Sequence, residues 1–319
     1  MNYAADIYLK GFDCCSITQP TDYEGPVICT LVRKTSIKPV KKAVLHVHGF
    51  NDYFFNPELA GKYNEQGFNF YALDLRKCGR SWLPHQKFNN VRDLSEYDQD
   101  INEALKIIHH EGNEKVLLSG HSMGGLIMLL YAVKNQNKDW FDAVFLNSPF
   151  FEQNKDVVTK KLVIPVVASL GKRWPDTDVP GRFSKFYGPS LHKNDYGEWD
   201  YDLKLKPHIM PLANMGWVRV IHQGQKKVWK GIEVNQPVLI IHPSKSVGGS
   251  GWNEKFRHGD IVVNVKDIVR HARKIKGNCK IVSIDGAVHD VMLSAKPVRE
   301  KVYQELFSWL EEVSLIGDR

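Results

Sequence analysis

A serine flanked by glycines lies where a strand is expected to turn sharply into a helix. Gly120, Ser122 and Gly124 form the pattern G-x-S-x-G, between an apolar run at 115–119 and another at 124–134. A serine on such a turn adopts a strained backbone conformation, and a Cβ at either glycine would crowd it. The turn exposes the hydroxyl for attack on a carbonyl carbon, so the pattern predicts that Ser122 is a nucleophile.

A nucleophilic serine needs a histidine that accepts its proton. His289 lies in the segment 285–290, after the last expected strand and before a C-terminal helix. That position places it at the carboxyl edge of a parallel sheet, the same edge as the serine. We therefore predict that His289 is the general base.

The acid that orients the histidine is expected after the strand at 237–242. Asp260 precedes an apolar run and a helix, as a carboxylate at the end of a loop would. Glu254 and Asp267 are the alternatives in the same stretch. We predict Asp260 as the acid, while the Gly-rich segment 243–259 before it has no evident role.

Two backbone N–H groups are expected to bind the oxyanion that forms on the attacked carbonyl. Met123 begins the helix after the serine, where N–H groups lack helical partners. Phe50 follows Gly49, whose small size permits close approach of the backbone. His46 and His48 flank the same strand end, and we interpret them as hydrogen-bonded supporting residues and not as catalytic groups.

Strands and helices alternate along most of the chain, which predicts an α/β fold with a mostly parallel central sheet and helices on both faces. A leading hairpin is expected around 25–32. Further strands are expected at 43–47, 68–73, 115–119, 143–147, 237–242 and 279–284. Helices are expected at 58–65, 98–110, 124–134, 265–274 and 298–313.

The alternation stops at residue 150 and resumes near residue 236. We therefore predict a catalytic core formed by residues 1–149 and 236–319, with residues 150–235 inserted as a cap, or lid. The cap is rich in aromatic residues: Trp174, Phe183, Phe186, Tyr187, Trp199, Tyr201, Trp217 and Trp229. Some of these rings are expected to line a pocket and the others to form the core of the cap.

Composition points to an ordinary folded protein, since 43% of its 319 residues are hydrophobic and 25% are charged. Five cysteines without C-x-x-C spacing argue against a disulfide framework and against a structural zinc site. The N-terminus lacks the pattern of a secretory signal, and the apolar run 162–170 is too short to span a bilayer. We expect a cytoplasmic protein.

The formal charge of +7 arises mostly in the cap, where residues 151–230 contain 14 Lys and Arg against 8 Asp and Glu. No run of five basic residues and no nucleic-acid-binding motif is present, which argues against a nucleic-acid partner. The surplus predicts either a solvated basic face or attraction to lipid surfaces or acidic substrates.

With these residues in place, the sequence resembles the monoacylglycerol lipase and lysophospholipase-like branch of the α/β-hydrolases, which is also grouped with serine aminopeptidase-like hydrolases. Five segments resemble motifs of that branch: 48–52 (HGFND), 74–81 (DLRKCGRS), 120–125 (GHSMGG), 259–263 (GDIVV) and 286–290 (GAVHD). Lys77 and Cys78 depart from the branch, which commonly has Gly-His there. This departure lies in a supporting loop and leaves the triad intact.

The resemblance implies hydrolysis of a carboxylic ester, such as an acylglycerol, a lysophospholipid or a similar acyl ester, without a metal or an organic cofactor. The partner is then a small-molecule acyl ester. The same triad would also serve a peptidase, an amidase or an acyltransferase, and a non-catalytic ligand-binding homologue is a further alternative.

Overall fold

A central sheet of nine strands organises the chain, in a computed structural model that describes residues 2–180 and 184–315. The described residues contain these nine strands and two further ones: β1 (Ala4–Ala5), β2 (Asp13–Asp22), β3 (Gly25–Lys34), β4 (Lys42–Val47), β5 (Asn69–Asp74), β6 (Lys115–His121), β7 (Ala143–Asn147), β8 (Ile232–Glu233), β9 (Val238–Pro243), β10 (Ile275–Lys276) and β11 (Cys279–Ile284). The strand order in the sheet is β1-β2-β3-β5-β4-β6-β7-β9-β11, while β8 and β10 form a separate parallel pair.

The predicted mostly parallel sheet is confirmed. From β5 to β11 all neighbouring strands of the large sheet are parallel, and the leading hairpin of β2 and β3 joins them in antiparallel pairing. The carboxyl ends of β4, β6, β7, β9 and β11 therefore meet at one edge. The segments that contain the predicted nucleophile, acid and general base follow strands that end at this edge.

Both faces of the sheet are buried because successive side chains of a strand point to opposite sides. Val44 and Phe145 belong to one hydrophobic cluster, whereas Leu45 and Leu146 belong to the other. Eight α-helices lie within the described ranges. They are α1 (Pro57–Glu65), α2 (Ser95–His110), α3 (Met123–Asn135), α4 (Ile164–Leu170), α5 (Tyr187–Leu191), α6 (Met215–Trp229), α7 (Val265–Ala272) and α8 (Lys296–Glu312).

The segment between β7 and β9 contains α4, α5 and α6 and adds no strand to the central sheet. That residues 150–235 form a cap remains our proposal, and we call them the cap segment below. Helix α6 was not predicted from the sequence, although Asn214 caps its first turn by accepting a hydrogen bond from the Trp217 N–H at 2.8 Å. Trp217, Ile221 and Val228 are buried at helical spacing, which was the available signal.

The insertion 243–259 packs against the cap segment through aromatic side chains. Trp252 stacks on Tyr196 with ring centroids 3.6 Å apart, and Phe256 stacks on Phe186 at 5.4 Å. Both partners belong to the cap segment. The insertion thus supports this segment from the core side.

The turn from β6 into α3 depends on the small size of Gly124, because a Cβ there would collide with the carbonyl oxygens of Val47 and His48. We expect Gly124→Ala to lower the free energy of unfolding in urea by about 2 kcal/mol or more, as overpacking does. Gly61→Ala in α1 is the matched control, because its added Cβ meets no atom within 4 Å. It should raise stability by up to about 1 kcal/mol, and equal effects of the two changes would contradict this account.

Candidate active site

Ser122 joins β6 to α3 in a backbone conformation that L-residues rarely adopt, with φ 52° and ψ −113°. Such strain persists only where the surroundings impose it. Here α3 packs closely on the ends of β4 and β6, and a Cβ at Gly120 would collide with the carbonyl group of Gly124. The turn holds the serine side chain at the carboxyl edge of the sheet, as the sequence predicts.

The structure brings the three predicted triad residues together. His289 Nε2 lies 2.9 Å from Ser122 Oγ, and His289 Nδ1 lies 2.8 Å from Asp260 Oδ2. A carboxylate only accepts hydrogen bonds, so Nδ1–H donates to Asp260 and Nε2 is left to accept the proton of Ser122. All three side chains are buried, which strengthens these interactions.

Asp260 is fixed as a fully bonded carboxylate. Its Oδ1 accepts hydrogen bonds from the N–H groups of Val262 and Val263, both at 2.8 Å, so Oδ2 is left to face the histidine. The alternatives lie elsewhere. Glu254 is in an exposed turn of the insertion, and Asp267 pairs with a lysine of the cap segment.

The two predicted oxyanion donors flank the serine. Met123 is the first residue of α3, so its N–H has no partner within the helix. The loop after β4 passes directly beside the nucleophile, because a Cβ at Gly49 would lie 3.3 Å from the Ser122 Cβ. Phe50 follows in that loop. Met123 thus adjoins the serine, and the loop that carries Phe50 passes beside it.

His48 orients the peptide between Gly49 and Phe50. Its Nε2 accepts a hydrogen bond from the Leu75 N–H at 3.1 Å, so Nδ1–H donates to the Gly49 carbonyl at 2.7 Å. In a trans peptide the C=O and N–H groups point in opposite directions, so this bond also fixes the direction of the Phe50 N–H. His46 bonds a serine hydroxyl of β6, and burial lowers its pKa to about 3, which keeps it neutral.

The residues that hold the loop of His289 were not predicted from the sequence. Asn147, at the end of β7, donates to Asp290 Oδ1 at 2.6 Å and accepts from the Val291 N–H at 3.1 Å. Its carbonyl also accepts from the Ser122 N–H at 2.9 Å. One side chain and its backbone thus connect the nucleophile turn to the loop of His289.

Burial and neighbouring groups set the charge of His121 and Asp290, which lie next to the triad. Burial lowers the pKa of His121, whose ring centroid lies 4.9 Å from that of His289. Burial raises the pKa of Asp290, but His121, the hydrogen bond from Asn147 and Lys206 outweigh this effect and hold that pKa below its usual range. Asp290 is therefore an anion at neutral pH.

An apolar cleft of about 130 Å³ extends from Phe50 into the cap segment. Most of its lining side chains are aliphatic or aromatic, among them Val163, Ile164, Val167, Met210, Trp217 and Val218. Of the predicted cap aromatics only Trp217 lines this cleft among the described residues, and Phe183 lies outside them. Phe50 packs on Trp217 with ring centroids 4.5 Å apart, so the cleft ends beside the loop that carries Phe50.

Within the described ranges, one group brings three possible metal ligands together, and it lies in the cap segment: His192, Asp195 and His208. His192 is already engaged at both ring nitrogens, by the Asn194 N–H and by the carbonyl of Tyr201, each at 3.2 Å. We therefore assign no metal to this group.

Comparison with known proteins agrees with the fold and the arrangement of these motifs. The profile of the family "Serine aminopeptidase, S33" matches residues 38–294. The chain belongs to this family. It is a monoacylglycerol lipase-like α/β-hydrolase, and the resemblance read from its motifs is confirmed.

Individual relatives are distant. A monoglyceride lipase homolog of monkeypox virus is 26% identical over 266 residues, which is 79% of this chain and 85% of the relative. The structure of a soluble variant of monoglyceride lipase from Saccharomyces cerevisiae superposes with a TM-score of 0.67 at 17% identity, covering 94% of this chain and 96% of the other. The monoacylglycerol lipase of Paleococcus ferrophilus gives 0.65 at 19%, covering 89% and 98%.

In the part of the chain that the structure describes, no helix combines the length and apolar character needed to traverse a bilayer.

The triad geometry makes a quantitative prediction for turnover. Ser122→Ala and His289→Ala should each abolish ester hydrolysis, and Asp260→Asn should reduce kcat by roughly 10⁴, because the histidine then loses the partner that fixes its tautomer. Circular dichroism should show an unchanged fold. Glu254→Gln is the matched control and should retain wild-type kcat; a loss there, with an active Asp260→Asn enzyme, would move the acid to Glu254.

Proposed function

We propose that the chain is a serine hydrolase that cleaves carboxylic esters, with Ser122 as nucleophile, His289 as general base and Asp260 as the orienting acid. The observation that carries this proposal is the buried chain of hydrogen bonds from Ser122 Oγ through the imidazole to Asp260. His289 takes the serine proton while Oγ attacks the carbonyl carbon, and it returns that proton to the leaving alcohol. Water, activated by the same histidine, then releases the acyl group from the serine.

The negative charge of each tetrahedral intermediate develops on the former carbonyl oxygen. The N–H groups of Phe50 and Met123 are the proposed donors, and each should lower the barrier by about 3 to 4 kcal/mol. His48 supports this role by fixing the peptide that carries the Phe50 N–H. Because the backbone supplies both donors, the hole needs no reorganisation during the reaction.

The substrate we propose is an acylglycerol, a lysophospholipid or a similar acyl ester. The apolar cleft beside Phe50 supports this class, since its aliphatic and aromatic lining suits a hydrocarbon chain. The similarity to a monoglyceride lipase homolog points the same way. A peptidase, an amidase or an acyltransferase would use the same triad, so p-nitrophenyl esters, monoacylglycerols, lysophospholipids and aminoacyl amides should be compared with wild type and Ser122→Ala.

Neighbouring valines of α4 test the role of the cleft. Val167 lines it, whereas Val166 points to solvent and is 57% exposed. We expect Val167→Trp to lower kcat/KM for p-nitrophenyl decanoate at least ten-fold relative to the butyrate ester, because the indole fills the space of the distal carbons. Val166→Trp should leave the ratio unchanged. Identical chain-length profiles for the two variants would show that the acyl chain binds elsewhere.

We further propose that the cap segment contacts lipid surfaces. Six large apolar side chains between residues 157 and 170 are 38 to 65% exposed: Val157, Val158, Leu162, Val163, Val166 and Leu170. Exposed Lys161 lies in the same stretch, exposed Lys155 and Lys172 flank it, and all three would attract anionic head groups. Val163, Ile164 and Val167 of this stretch line the cleft, so a lipid substrate would enter directly from the surface.

Vesicle binding tests this surface. Leu162→Glu combined with Val166→Glu should weaken sedimentation with phosphatidylglycerol-containing vesicles at least ten-fold, because each side chain loses about 1 kcal/mol or more of apolar burial. Hydrolysis of soluble p-nitrophenyl butyrate should not change. Ile37→Glu, a fully exposed position between β3 and β4, is the control. Undiminished binding of the double variant would exclude this face.

A further inference from the structure

A buried ion pair joins the cap segment to the loop of the oxyanion donor. Lys206 Nζ lies 2.6 Å from Asp52 Oδ2, and the two side chains are 5% and 8% exposed. Removing both ions from water costs several kcal/mol, and only close pairing offsets that cost. Lys206 and Asp52 therefore fix each other's position.

A second bond links the same two segments. The Asp202 N–H donates to Tyr53 Oη at 2.8 Å, and the Lys206 N–H donates to the carbonyl of Asp202 at 3.0 Å, which closes one turn of the cap segment. Asp52 Oδ1 accepts the Tyr53 N–H at 2.9 Å. Two adjacent residues of the loop thus hold one cap turn, and neither bond belongs to the central sheet.

The hydrogen bonds and the ion pair that hold the loop of Phe50 come from different parts of the chain. His48 fixes its beginning, and the side chain of Asn89 accepts the Asn51 N–H at 3.0 Å. Both of these partners belong to the proposed core. Asp52, two residues after Phe50, is instead fixed by a cation from the cap segment. The Phe50 peptide thus has core partners on both sides, at Gly49 and Asn51, and the cap segment fixes the loop one residue further on, at Asp52.

Three aromatic rings surround the Lys206 ammonium group, and one of them also contacts a residue of the triad. Its nitrogen lies 4.8 Å from the ring centroid of Phe55, 5.4 Å from that of Tyr201 and 5.9 Å from that of Tyr187. These distances are typical of cation–π contacts. The Tyr187 ring in turn packs edge-on against His289, with centroids 5.7 Å apart. A single ring thus separates the cation from the proposed general base.

We infer that Lys206 is a positioning residue for the proposed hydrolysis: by binding Asp52 it holds the loop of Phe50 in the geometry that receives the oxyanion. The inference rests on the proposed function. Its consequence is that the oxyanion hole keeps its geometry only while the cap segment is bound to this loop through the Lys206–Asp52 ion pair. Lys206 itself contacts no reacting atom in this scheme and acts through Asp52.

The test compares Lys206→Met, the neutral pair Asp52→Asn/Lys206→Met, and Lys204→Met, an exposed lysine of the same turn, as the matched control. Hydrolysis of p-nitrophenyl butyrate is measured per active site, with sites titrated by a fluorophosphonate so that unfolded protein does not contribute. Inhibition constants for an alkyl trifluoromethyl ketone, whose adduct places an oxyanion in the hole, are measured in parallel.

We expect Lys206→Met to lower kcat 10- to 100-fold with a change in KM of less than three-fold, and to weaken ketone binding by a similar factor to kcat. The neutral pair should regain thermal stability, since no unpaired charge is buried, yet keep the low kcat and the weak ketone binding. If Lys206→Met fails to fold, the kcat and the ketone affinity of the neutral pair test the inference. Lys204→Met should match wild type.

Two results would overturn the inference. Wild-type kcat and ketone affinity in folded Lys206→Met would do so, and so would recovery of both in the neutral pair, because either would leave the ion pair a purely structural role. A failure of the proposed function would look different: wild type itself would neither be labelled at Ser122 nor cleave any ester, and the inference would fall with it.

Discussion

The backbone strain at Ser122 is the constraint on which the rest of the site depends. A serine with a positive φ between a strand and a helix is stable only if α3 can approach the ends of β4 and β6 without side chains between them. That approach fixes the first N–H of α3 and brings the loop of Gly49 beside the serine. The histidine and acid loops then need only to reach one fixed point at the edge of the sheet.

The features that the sequence predicts well are those encoded locally or by chain order. Glycines around Ser122, apolar strands and the order serine, acid, histidine were sufficient for the sheet and for the three residues that meet in space. Long-range partners gave no such signal. Asn147 and Asp290 lie 143 residues apart, and Asp52 and Lys206 lie 154 apart. Their pairing follows from the fold, and no spacing rule connects them.

The site combines two environments that oppose each other chemically. Buried ions and imidazoles line a small pocket next to the triad, where His46, His48, His121, Asp52 and Asp290 meet, and Asp52 is paired with Lys206. The cleft that begins at Phe50 is by contrast almost wholly apolar. An ester, polar at one bond and hydrocarbon over most of its length, matches this division better than a peptide, which carries polar groups along its whole length.

The stacking of Trp252 on Tyr196 also bears on how the chain can be rebuilt or diverge. The acid loop carries its own insertion, and that insertion contacts the cap segment through aromatic rings. The two parts therefore pack as one unit although they are separate in sequence. Exchanging the cap segment for that of a relative would remove the ring partners of Trp252 and Phe256, so a functional chimera needs both pieces from the same parent.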